Sequence, residues 1–251
     1  MRNLTMLMDY YELTMSNGYF EKGFKDKMVV FDMFYRKNPD NGGFVVSAGL
    51  EQLIEYIENM HFSKEDIEFL RSKGEFSEGF LQYLADFKFT GNIDALPEGT
   101  ICYPNTPIVT VTAPVIEAQL IETMLLLTMN FQSLIATKAS RICRTAAESG
   151  AVVMEFGARR AHGGDAAILG ARAAYIGGAA ATATVMADER FGVPAIGTMA
   201  HSWIQFFDNE YEAFKAYAEV YPDNCTLLID TYDILNLSLI HISEPTRLQL
   251  I

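Results

Sequence analysis

Three short apolar runs in the second half of the sequence each end in side chains that can do chemistry. Phe156, Gly157, Arg159 and Arg160 close and follow residues 152–156 in MEFGARRAHGGDAAILGARAAYIGG. Thr198 and His201 follow residues 195–197 in FGVPAIGTMAHSW, and Asp230 and Asp233 stand at and after the end of residues 226–230. Adjacent guanidinium groups offer paired donors to carboxylate or phosphate oxygens. Aspartates in such a place suit Mg²⁺, which takes few protein carboxylates and bridges to substrate phosphates. An imidazole can be a general base, a metal ligand or a nucleophile that accepts a phosphoryl group. The plain alternatives are a solvated arginine pair and a histidine packed beside Trp203. The Gly-Thr-Met-Ala run after a strand favours placement of His201 on a rim. Neither GxxxxGK[ST] nor GxGxxG occurs, so nucleotide chemistry would need another scaffold.

These side chains converge only if the runs are parallel strands, each delivering its last residues to one rim. Helical patterns over 165–175, 180–191 and 210–221 alternate with the strands, which points to a parallel α/β sheet, most simply a barrel, with a doubly wound open sheet as the alternative. Upstream, residues 9–23 read as a helix with Asp9 as N-cap and Gly23 as stop. Residues 27–35 and 44–48 read as strands around the turn Asn38-Pro39-Asp40-Asn41-Gly42-Gly43. Two amphipathic helices follow over 50–60 and 63–71, the second capped by Ser63 and Asp66. Residues 87–113 have the Gly, Pro and β-branched rhythm of a small β-rich layer. Residues 115–149 are helical, with a break expected near Asn130. Gly177 and Gly178 suit close helix packing.

Half the 251 residues are apolar and a fifth charged, enough for a core and unlike a disordered chain. A net charge of −13 argues against a nucleic-acid or anionic-membrane surface. Three widely spaced cysteines without a CxxC pair argue against a disulfide framework or structural zinc. The N-terminus has no signal-peptide pattern, and the apolar run over 124–129 is too short to span a bilayer, so a cytoplasmic location is expected. Residues 237–247, LSLIHISEPTR, break every pattern before them and look like a translated sequencing-library adapter. Residues 237–251 are therefore expected to be a non-native tail, cutting the chain in mid-domain.

Over residues 5–236 the chain resembles the nicotinate phosphoribosyltransferases. The resemblance is carried by DYYELTMSNGYF, FYRKNPDNGGFVVSAGLE, NFQSLIATKASRI, FGARRAHGGDAAILGARAAYIGG, FGVPAIGTMAHSW and IDTYDILN, in that order. It implies an α/β fold: a truncated (β/α) barrel of the type II phosphoribosyltransferase kind over 126–236, plus a small β-rich N-terminal domain over 1–125. It also implies a homodimer that condenses nicotinate with phosphoribosyl pyrophosphate to nicotinate mononucleotide in NAD biosynthesis, driven by ATP with Mg²⁺ through a phosphohistidine. By that resemblance His201 matches the phosphorylated histidine and Thr198 a nicotinate contact. Phe156 matches the ring stacked on the pyridine, and Tyr11 the opposite ring, supplied by the neighbouring subunit. Arg159 matches an arginine of the anion site, and Asp230 an acidic residue near ribose and metal.

Nicotinamide-using relatives place an aspartate where Ala183 stands; a carboxylate there would repel nicotinate, so nicotinate is the expected substrate. The family's Arg-x-Asp-Ser-Gly-Asp stretch and its glycine-rich phosphate loops are absent from the sequence, which predicts little turnover from this chain by itself. The competing readings are a non-catalytic, oligomerising remnant and a quinolinate or nicotinamide phosphoribosyltransferase relative. A quinolinate enzyme needs no phosphohistidine, so the GTMAHSW stretch argues against it.

Overall fold

The computed structural model describes residues 3–235 as a mixed α/β protein of helices and small sheets. The expected tail over 237–251 lies outside the described residues. The chain divides into two compact units, one up to Pro194 and one from Ala195.

The first unit opens with α1 (Tyr10–Glu21), β1 (Met28–Met33), β2 (Val45–Val46), α2 (Leu50–Asn59), α3 (Lys64–Ser72) and α4 (Glu78–Ala85). It continues with β3 (Asn92–Ala95), β4 (Ile101–Cys102), β5 (Val109–Pro114), α5 (Val115–Gln119) and the long α6 (Glu122–Glu148). β5 lies between β1 and β3, antiparallel to both, and β2 pairs antiparallel with β4. Along β5 burial alternates residue by residue, Val109, Val111 and Ala113 facing the core, the pattern of a sheet covered on one face. Ser63 caps α3 by accepting from the Asp66 amide at 3.1 Å, while Asp66 accepts from the Ser63 amide at 2.8 Å. The unpredicted α4 buries Phe80, Leu81 and Leu84 and is capped by Ser77.

The helical stretch from Val115 breaks at Leu120 and Ile121, not near Asn130. Asn130 is exposed within α6, where its weak helix propensity is outweighed by burial of Met129 and Gln132 beside it. The 125/126 domain boundary expected from sequence falls inside this helix. By length and composition Val115–Glu148 could cross a bilayer, contrary to the shorter apolar run read from sequence; just over half of its most apolar window (56%) is buried in the fold. Its inner face is partly polar. Thr137 and Ser133 accept from the Val46 and Ala48 amides at 2.9 and 3.0 Å, satisfying the inner edge of β2. This is a core helix. At Gly49 (φ +109°) an added Cβ would lie 2.6 Å from the Thr128 carbonyl oxygen, so only glycine lets α2 start against α6.

The unit ends with β6 (Met154–Glu155), α7 (Gly164–Ile176), β7 (Ala181–Thr182) and α8 (Val185–Phe191). β6 and β7 are parallel, joined through α7. The helix expected over 180–191 thus begins at Val185, because Ala181 and Thr182 are taken into the ladder. α7 packs on α6 at Gly177, where a Cβ would stand 2.4 Å from the Ala136 carbonyl oxygen.

The second unit contains α9 (His201–Phe206) and α10 (Glu210–Val220). Of the strand expected over 195–197 only Ala195 makes a bridge, and residues 226–230 form no strand. A buried parallel strand exists through its ladder partners on both sides, and among the described residues the only parallel pair is β6 with β7.

Candidate active site

In the first unit the parallel pair sets the rim that carries Phe156, Arg159 and Arg160. Met154 faces Ala181 and Glu155 faces Thr182, and the Ala183 amide donates to the Glu155 carbonyl at 2.9 Å. Phe156 and Ala183 therefore leave the pair at the same end. Phe156 is 44% exposed, so its ring is available as a stacking surface rather than spent in the core. Beyond it the chain makes a single 3₁₀ turn, Ala158–Arg160, which leaves Arg159 and Arg160 exposed.

One carboxylate ties this rim together, and sequence reasoning passed over it. Glu155 accepts from the Gly157 amide through Oε1 and from the Thr182 hydroxyl through Oε2 at 2.7 Å. The same Thr182 hydroxyl oxygen accepts from the Thr184 amide at 3.0 Å. The turn after β6 and the turn after β7 are thus both fastened to one side chain. Thr182 is fully buried, and a carboxylate acceptor makes these bonds charge-assisted. The available signal was the strict order Glu-Phe-Gly after a β-type run, where a carboxylate two residues before a glycine can reach the turn amide.

The second unit carries its own group of chemistry-bearing residues. α9 packs through Ile204 and Trp203 onto α10, with Trp203 Nε1 donating to the Ala213 carbonyl at 3.0 Å. That packing turns His201, the first residue of α9, outward with 54% of its side chain exposed. Its Nδ1 lies 3.2 Å from the Thr231 hydroxyl and 3.9 Å from Asp230 Oδ1. Thr198 is exposed, and its hydroxyl donates to the Thr226 carbonyl. The structure therefore brings His201 and Asp230 together and adds Thr231, which sequence reasoning did not single out.

Tyr11 sits on α1 with its ring 42% exposed. Its hydroxyl donates to Glu122 Oε1 at 2.8 Å. That hydrogen bond, with partial burial and the nearby Glu122, Glu12 and Asp9 charges, pushes the phenol up to about 12, so it stays protonated at neutral pH. The hydroxyl anchors the ring to α6 and leaves its face open.

The arrangement offers a flat aromatic surface with exposed arginines on one side and, separately, an oriented imidazole beside a carboxylate. The model of the nicotinate phosphoribosyltransferase N-terminal domain matches residues 6–130. The nicotinate phosphoribosyltransferase pncB2 of Mycobacterium tuberculosis is 45% identical over 230 residues, 92% of this chain and 49% of that protein. The nicotinate phosphoribosyltransferase of Bacillus subtilis is 46% identical over 233 residues, 93% of this chain and 47% of its own length. Among solved structures, human nicotinic acid phosphoribosyltransferase superposes with a TM-score of 0.83 at 28% identity, over 90% of this chain and 55% of that one. A nicotinate-nucleotide pyrophosphorylase from Pyrococcus furiosus gives a TM-score of 0.77 at 25% identity, over 96% and 54%. The chain spans about half the length of the curated relatives it matches. On the sequence matches and the fold together, this chain belongs to the nicotinate phosphoribosyltransferase family.

Proposed function

We propose that the chain carries the pyridine-binding and phosphate-accepting residues of a nicotinate phosphoribosyltransferase. In that reaction the nicotinate ring nitrogen attacks C1′ of phosphoribosyl pyrophosphate. The C1′–O bond breaks, and its electron pair leaves with pyrophosphate, giving nicotinate mononucleotide. Phe156 stacks on one face of the pyridine and Tyr11 of a second copy on the other; each ring pair contributes about 0.5–1.5 kcal/mol beyond the area buried. Arg159 answers the nicotinate carboxylate, and Thr198 contacts the ring. Ala183, beside Phe156 at the same end of the pair, places no carboxylate against that negative charge. On this reading β6 and β7 begin a truncated (β/α) barrel that works as a homodimer.

The observation that carries the energy-coupling part is the setting of His201. With its proton on Nδ1, the ring donates to the Thr231 hydroxyl under the influence of Asp230, which leaves the Nε2 lone pair as the nucleophile. Nε2 takes the terminal phosphoryl group of ATP, ADP departs with the bonding electron pair, and water later releases phosphate. Mg²⁺, when bound, neutralises charge on the phosphates. The donor set suits it: Asp230 is an exposed carboxylate with the Thr231 hydroxyl in reach of the same imidazole. Among the described residues no group of three His, Cys, Asp or Glu side chains forms a protein-only cage. An ion held by Asp230, water and phosphates fits that pattern.

Incubation with terminally radiolabelled ATP tests this reading. An acid-labile, base-stable label should map to the peptide containing His201 and disappear in His201→Asn. A label that persists after that substitution overturns it.

A further inference from the structure

Helix α1 is joined to the start of α6 by a clamp to which the proposed reaction gives no role. The N-cap of α6 is Ile121, which has no capping side chain, so the first amides of the helix need acceptors from elsewhere. Glu12 of α1 supplies one. Its Oε1 accepts from the Thr123 amide at 3.1 Å and from the Thr123 hydroxyl. The same hydroxyl oxygen accepts from the amide of Asp9, the N-cap of α1, at 3.2 Å. Each helix thus closes the N-terminus of the other. Tyr11 rides on this joint, its hydroxyl bonded to Glu122 in the first turn of α6.

The other oxygen of the Glu12 carboxyl is dry. Glu12 is fully buried, and its Oε2 has no partner. Ser16, one turn further along the same face, and Tyr56 of α2 are buried with hydroxyls likewise unpartnered. Around the carboxyl, α6 contributes Glu122, α2 contributes Tyr56, and α1 contributes Asp9 and Tyr11. Of the helices packed on α1, α5 turns Glu117 to Thr90, while α4 pairs Glu78 with Arg71 and stacks Tyr83 on Phe20. Among the described residues no cation pairs with Glu12. A carboxylate in such a place is far costlier than the neutral acid. The positive end of α6 favours an anion, but Glu122 already provides one there and repels a second. Burial therefore outweighs the Thr123 bonds and raises Glu12 above the usual carboxylate range.

We propose that Glu12 is a positioning residue that works as a proton latch: the neutral acid docks α1 and fixes the Tyr11 ring, and ionisation loosens both. In the neutral acid Oε1 keeps both Thr123 bonds, and the proton sits on Oε2, the oxygen that no donor reaches. Docking is complete at low pH and is lost as pH rises through the raised folded value. The consequence for nicotinate rests on the reading of Tyr11 as a stacking ring, whereas the latch itself is a property of α1.

Hydrogen exchange read by mass spectrometry tests the latch, with rates corrected for their intrinsic rise with pH and α7 as the internal reference. As pH rises above the ordinary carboxylate range, protection of residues 10–21 should fall by about tenfold for every pKa unit that separates docked from loosened Glu12. Residues 164–176 should keep theirs. Glu12→Gln keeps the acceptor oxygen and puts an amide N–H in place of the acid proton, so it should hold α1 at every pH. A merely structural Glu12 would leave both profiles flat. Nicotinate titrated over the same series should lose affinity with pH in the parent and keep it in Glu12→Gln. Protection that falls with pH while nicotinate affinity ignores both pH and Tyr11→Ala supports the latch and removes Tyr11 from the pyridine site. Protection of α1 that is independent of pH in the parent overturns the proposal, whether or not the variant folds. So does the same pH dependence in parent and Glu12→Gln.

Discussion

Replacing Glu155 with glutamine tests whether the rim depends on that one carboxylate. The amide keeps the shape and still accepts from the Gly157 amide, but the charge is gone. Its NH₂ must face a Thr182 hydroxyl that donates at 2.7 Å while accepting from Thr184. A hydrogen bond to a charged acceptor is worth about 1.5–3 kcal/mol and a neutral one about 0.5–1.5, so each bond weakens by about 1 kcal/mol. The Thr182 partner is buried, whereas the Gly157 end is exposed and softened by solvent. A total near 1.5 kcal/mol is the reasonable sum. For a unit of this size that lowers Tm by about 3–6 °C. Because the loss falls on the turn that presents Phe156 and Arg159, nicotinate affinity should fall by about tenfold, the equivalent of about 1.4 kcal/mol. Differential scanning calorimetry and isothermal titration with nicotinate read the two effects. Glu155→Gln with unchanged Tm and unchanged nicotinate affinity would mean that the rim does not depend on this carboxylate. A Tm loss alone would restrict Glu155 to a structural role.

Arg172→Met strands the half-buried Glu98 and should cost about 3–5 kcal/mol by chemical denaturation, most of it recovered in Arg172→Met with Glu98→Gln. Glu98 itself titrates below the usual carboxylate range: burial pushes it up, but Arg172 and the Gly49 and Leu50 amides outweigh that. Its contribution is therefore full above the unfolded carboxylate pKa and lost as pH falls through the depressed folded value, and the parent's stability should decline there more steeply than that of Glu98→Gln. Gly177→Ala puts a methyl 2.4 Å from the Ala136 carbonyl and should lower Tm by several degrees, although alanine is the better helix former. Ala183→Asp should shift the preference from nicotinate toward nicotinamide, read as the ratio of the two dissociation constants.

Local patterns in the sequence recovered the elements that carry their own signals. α1, β1, α2, α3, α7 and α10 fall where periodicity and caps put them, and the Ser63–Asp66 capping box forms as its spacing implies. α4 escaped because Gly74 precedes it, Gly79 stands within its first turn and a β-rich run follows, and only tertiary burial of Phe80, Leu81 and Leu84 reveals it. The strands over 195–197 and 226–230 were read from β-branched content, yet a parallel strand is made by neighbours far away in sequence. His201 and Asp230 were legible as chemistry-bearing types at the ends of apolar runs. Glu155 and Thr231 were not, because their roles come from pairings across 27 and 30 residues respectively, which spacing does not encode.

Nicotinate titrated into this chain and into its Phe156→Ala variant shows whether the exposed ring after β6 holds the pyridine. Saturable binding of nicotinate, weaker binding of nicotinamide, and loss of at least about tenfold in affinity when the ring is removed, about 1.4 kcal/mol, are expected. Equal affinity in parent and variant, or tighter binding of nicotinamide, would contradict that role.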